Sequence, residues 1–169
     1  MKNKLSLKSY YRVLDNSIRK VVMFLFILSA TISTAQTNEA SSGLTGTEFE
    51  KAKQLYLDMM QSDTYKELKQ NTVFIANRTK NIELPRLDPS WMGLDDAALG
   101  KLYKERVVAW AKANQKKMKF KNAREASNAV IRGVELAQRR EVENKELYSL
   151  MKRANKAQFS EIIKPEKLL

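Results

Sequence analysis

The sequence predicts an all-α protein, a small bundle of about four helices. Three observations predict it. Apolar residues recur at steps of three and four along most of residues 47–158. Thr, Asn or Asp opens each of those runs, often with Glu three positions later. No strand pattern survives: Val107-Val108 and Val130-Ile131 are single β-branched pairs inside helical periods.

The run begins behind a different kind of segment. Residues 21–35 read VVMFLFILSATISTA, and Lys2, Lys4, Lys8, Arg12, Arg19 and Lys20 precede them against a single Asp15. The apolar core is about half the roughly 20 residues a spanning helix needs. Ser33-Thr34-Ala35 supplies small residues before a cut. The segment resembles a bacterial Sec-type signal peptide, which implies cleavage between Ala35 and Gln36 and a periplasmic or extracellular chain without a membrane anchor. The expected organisation is a signal peptide over 1–35, a disordered lead over 36–46 and a single helical domain over 47–169.

The part after residue 35 has 134 residues, with 25 basic and 18 acidic side chains. That is long enough to bury a core. Its net charge of +7 leaves a polyanion or an acidic membrane surface open as a partner. Cysteine is absent, so there is neither a lipid-bearing cysteine nor a disulfide. Histidine is absent too. This excludes His-ligated metals, the Ser-His-Asp and Cys-His nucleophile systems and a His pH switch. No Gly-rich phosphate loop, Ca²⁺ loop or metal-ligand spacing occurs, so no cofactor is expected.

The first helix is expected to start on a capping box, Thr47-x-x-Glu50, with a stripe of Phe49, Ala52, Leu55, Tyr56, Met59 and Met60. Ser62-Asp63-Thr64 interrupts it. Thr64-x-x-Glu67 repeats the box ahead of Tyr65, Leu68, Thr72, Ile75, Ala76 and Thr79. Over residues 80–94, Pro85 and Pro89 break the helical period. This loop is apolar for its length, holding Ile82, Leu84, Leu87, Trp91, Met92 and Leu94. It reads as a strap across the bundle anchored by Trp91. The sharper alternative is a partner-binding patch of Leu87, Trp91 and Met92.

Asp95 or Asp96 caps a third helix with a stripe from Leu99 to Met118. Lys116, Lys117, Lys119 and Lys121 follow, where cations complement a helix C-terminus. No nucleic-acid motif accompanies them, so specific nucleic-acid binding is not expected. Asn122-x-x-Glu125 opens the last helix. A straight helix over 122–158 would be about 54 Å long, against a radius of gyration of about 14 Å. It must break, project, or pair with a second copy of the chain as a homodimer. The polar interval Arg140, Glu141 and Asn144 is where a break belongs, and these three residues are also the candidate polar site. Neighbouring carboxylates on a helix face different ways, so Asp95-Asp96 makes no catalytic pair by itself.

Leu44-Thr45-Gly46-Thr47-Glu48 at a helix start looks like the Leu-Thr-x-x-Gln motif of Spy/CpxP-like periplasmic chaperones, with Glu48 in place of the Gln. The resemblance covers five residues and implies a small helical protein that holds unfolded envelope proteins. The expectation from the residues themselves is an exported helical protein that binds a protein or another envelope component. A carboxylate-dependent enzyme on an envelope polymer, using Glu141, is a further alternative.

Overall fold

A computed structural model describes residues 43–91 and 93–165, and among them the chain is all-α, with six helices and no strand. The expected signal peptide and residues 36–42 of the expected lead lie outside the described residues. The helices are α1 (Gly46–Gln61), α2 (Asp63–Thr79), α3 (Asp96–Asn114), α4 (Ala123–Glu143), α5 (Lys145–Arg153) and α6 (Lys156–Ile162). Short 3₁₀ turns occupy Pro89–Trp91 and Gln115–Lys117. Six helices stand where the pattern predicts about four because the last run is split into three.

Two of the expected caps lie two residues earlier than the sequence suggests. Thr45, not Thr47, caps α1: its hydroxyl accepts from the Glu48 N–H, and the Glu48 carboxylate accepts from the Thr45 N–H at 3.0 Å. The shift follows from Leu44, which is buried and must sit next to the cap. A buried residue just before the cap and Phe49 four residues after it are placed as in a hydrophobic staple. Residues 43–45 lead directly into this cap, and Gly46 is the first residue of α1. At α2 the Ser62 hydroxyl accepts from the Tyr65 N–H and donates to the Met59 carbonyl, so one side chain serves both helix ends. Thr64 is buried inside α2 instead of capping it. Asp95 caps α3 as expected, accepting from the Ala98 N–H at 2.8 Å. That helix ends at Asn114, short of Met118.

The straight last helix does not form. α4 stops at Glu143, and the Asn144 amide turns back to donate to the Arg140 carbonyl at 2.8 Å rather than capping α5. A second break follows α5. Asn155 and Gln158 make a full capping box that starts α6.

The described chain divides into two compact units, residues 70–134 and residues 43–69 with 135–165. In the discontinuous unit, Ala52, Tyr56, Met59 and Met60 of α1 pack with Tyr65, with Leu147, Leu150 and Met151 of α5, and with Ile162 of α6. Burial of side chains this size stabilises by about 1.5–3 kcal/mol each. Leu44 joins the same cluster. Its backbone is held by Gln158, whose Oε1 accepts from the Leu44 N–H and whose Nε2 donates to the Leu44 carbonyl, both at 2.8 Å. Gly43 precedes it at φ +80, and a Cβ there would lie 2.8 Å from Asn155 Nδ2 and Gln158 Oε1. Only glycine suits both conditions.

In the continuous unit, Tyr103, Val107 and Ala111 recur at steps of four on α3 and are buried. Ile75, Ala76 and Thr79 of α2 and Ala126, Ala129 and Val130 of α4 are buried as well. The buried Thr79 hydroxyl donates to the Ile75 carbonyl, which removes the cost of an unpaired polar group.

Candidate binding surfaces

The apolar loop is fastened down from one face of α3. Tyr103, Arg106 and Trp110 are spaced three and four apart, so they project together. The Tyr103 hydroxyl donates to the Pro85 carbonyl at 3.1 Å, Arg106 Nη1 to the Arg86 carbonyl at 2.8 Å, and Trp110 Nε1 to the Glu83 carbonyl at 2.8 Å. Prolines and an extended path leave loop carbonyls without a helical partner. Three long side chains replace it. Burial pushes the Tyr103 hydroxyl pKa well up, with the nearby Arg106 charge opposing.

Leu84 and Pro85 are the buried residues of this strap. Trp91 is half-buried at the end of a 3₁₀ turn, with the Arg106 guanidinium 4.9 Å from its ring centre. It makes a cation–π contact and is less buried than Leu84 and Pro85, although the sequence suggests it as the anchor. Leu87 is half-buried, and Met92 lies outside the described residues. Asp88 orders the turn: its carboxylate accepts from the Ser90 hydroxyl at 2.8 Å and the Ser90 N–H at 3.1 Å. Those bonds, led by the hydroxyl, lower its pKa, and Arg106 adds to the effect.

The polar trio lies at the break in the last run. Arg140 is only 3% exposed, with its guanidinium 5.9 Å from the Tyr148 ring centre. The Asn144 N–H is shared between the Arg140 and Glu141 carbonyls, at 3.1 and 3.3 Å. At this break Arg140 and Glu141 supply main-chain acceptors, and Asn144 donates to them through its backbone N–H and its side-chain amide. The five residues from Leu44 to Glu48 are likewise accounted for by helix capping and core packing.

A surface the sequence reading did not single out lies on α2 and α4 within residues 70–134. It is an open depression of about 500 Å³ lined by Asn71, Phe74, Asn128, Ala129, Arg124 and Arg132, with Asn122 and Glu125 at one end. Asn71 donates to the Ala129 carbonyl at 3.0 Å and fixes the two helices side by side. Phe74 meets Phe120 edge-on at 5.8 Å, and the Arg78 guanidinium covers its ring at 3.8 Å. The accessible lining is mainly apolar, with amide and guanidinium side chains among its residues.

Charge is unevenly shared. Residues 70–134 hold 13 basic and 6 acidic side chains, whereas 43–69 with 135–165 hold 11 and 10. Among the described residues no group of three or more Asp or Glu is placed to hold a metal ion, and no helix is long and apolar enough to cross a membrane. No protein-family model, curated protein or solved structure matches the chain.

Proposed function

We propose that the chain is exported by its first 35 residues and acts in the cell envelope as a helical binding protein. The basic leader, the short apolar run and the Ser33-Thr34-Ala35 exit support export. The observation that supports binding is the open depression on α2 and α4. Its lining combines the apolar Phe74 and Ala129 with Asn71, Asn128, Arg124 and Arg132. Such a mixture orients a ligand by a few polar groups over apolar contact. The apolar strap beside α3 is fastened by three side-chain bonds to the Pro85, Arg86 and Glu83 carbonyls, which supports a structural role for that part of the loop.

Fractionation of cells expressing the full chain tests this reading. The wild-type chain is expected in the envelope fraction and Leu25→Arg, which interrupts the apolar run, in the cytoplasm. Wild-type chain retained in the cytoplasm would overturn it.

A further inference from the structure

We propose that the basic end of residues 70–134 docks electrostatically on the anionic phospholipid head groups of a membrane surface, an inference that rests on the envelope reading above. Between residues 112 and 132 there are seven basic side chains, Lys112, Lys116, Lys117, Lys119, Lys121, Arg124 and Arg132, and one acidic, Glu125. The local structure sorts them. After the 3₁₀ turn the backbone becomes extended at Met118. Met118 and Phe120 are buried, while Lys117, Lys119 and Lys121 alternate with them and are exposed. The Lys119 N–H donates to the Arg78 carbonyl at 2.8 Å, which pins this segment beside the end of α2. Arg78 and the exposed Lys80 thereby join the same end.

Complementing a helix dipole explains only part of this charge. Lys112, Lys116 and Lys117 lie at the C-terminal end of α3, where cations are favourable. Lys121 and Arg124 lie at the N-terminal end of α4, where the dipole disfavours them. The acidic Glu125 is already engaged, accepting from the Lys121 N–H at 2.6 Å. Part of the positive charge, at Lys121 and Arg124, thus stands where the helix dipole does not favour it.

The side-chain types favour a membrane over a nucleic acid. Five of the seven are Lys, a compact point charge suited to a diffuse head-group layer rather than to bidentate reading of base edges. Phe120 is buried and offers no open face for base stacking, and the Arg78 guanidinium occupies one face of the Phe74 ring. The exposed members of the alternating segment are all Lys, so attachment is by charge without an inserted apolar anchor.

The test is sedimentation of the exported chain, residues 36–169, with vesicles. Equal parts phosphatidylglycerol and phosphatidylcholine are compared with phosphatidylcholine alone. Binding is expected only to the anionic vesicles and should be released as salt rises from about 0.05 to about 0.5 M. The combined variant Lys116→Gln, Lys117→Gln, Lys119→Gln, Lys121→Gln should bind about a hundredfold or more weakly, because each lysine near an anionic surface contributes several-fold. The variant Lys66→Gln, Lys69→Gln, Lys152→Gln, Lys156→Gln removes the same charge from the other unit and should bind nearly as wild type. Equal losses in both variants, no binding to anionic vesicles, or equally tight binding to duplex DNA would each overturn the inference. Failure of export would show instead in cell fractionation, with the vesicle result unaffected.

Discussion

Gln158 grips the peptide of Leu44 from both sides. Its amide oxygen accepts from the Leu44 N–H and its amide nitrogen donates to the Leu44 carbonyl, each at 2.8 Å, across 114 residues of sequence. The same oxygen accepts from the Asn155 N–H at 3.2 Å and completes the cap of α6. One side chain therefore starts the last helix and ties down the residues just ahead of the first.

Gln158→Ala should lower stability by about 1–3 kcal/mol, since it strands polar groups of a part-buried backbone. Gly43→Ala should cost at least about 1 kcal/mol from the left-handed backbone alone, plus the crowding at Asn155 and Gln158. Urea unfolding of the two variants measures both. An unchanged midpoint for either would mean that the clasp does not form in solution.

Ile162 is fully buried although α6 spans only Lys156–Ile162. Ile162→Ala should cost about 2–5 kcal/mol, the range for a large side chain removed from a core. A cost below about 1 kcal/mol would mean that α6 is not docked.

The strap predicts a ranking among aromatic substitutions. Tyr103→Phe removes only a hydroxyl but leaves the buried Pro85 carbonyl unpaired, at about 1–2 kcal/mol. Trp91→Ala removes a half-buried ring and one cation–π contact, the contact itself worth about 0.5–1 kcal/mol. It should therefore fall below the 3–5 kcal/mol range, about the cost for a fully buried aromatic. Thermal melts of the two variants check the ranking.

Stability should fall at both pH extremes. The Arg153 side chain bonds to Glu48 first of all, and the Thr45 N–H and hydroxyl add to it, so the folded Glu48 pKa lies below its ordinary 4.5. A lowered acid pKa means stability that is present above 4.5 and lost as pH falls through the folded value. Tyr103 is the reverse case. Burial raises its pKa above the ordinary 10, so its stabilisation is present below pH 10 and lost as pH rises towards the folded value. In melts across pH, Glu48→Gln should flatten the acid limb and Tyr103→Phe the alkaline limb.

The helical period made most of the fold readable. The stripes of α1 and α3 appear in the core as Tyr56, Met59, Tyr103 and Val107. Caps were less readable because Thr, Ser and Asn are dense in this chain. Thr45 and Thr47 offer the same hydroxyl, and the burial of Leu44 decides between them. The break at Asn144 was signalled by its polar interval. The second break was signalled by Asn155-x-x-Gln158, a box hidden inside an otherwise helical run. The depression on α2 and α4 gave no local signal, because Asn71 and Phe74 meet Arg124 and Asn128 only through tertiary packing. The strap was legible as apolar, but its fastening required knowing that Tyr103, Arg106 and Trp110 face it.

The intact mass of the chain recovered from the envelope reports on export and on the Leu44 clasp at once. A mass that begins at Gln36 is predicted: it removes the signal and leaves Gly43 and Leu44 in place for their clasp with Gln158. A chain that retains Met1 would contradict export with cleavage, and one cut beyond Leu44 would contradict the fold that the clasp closes.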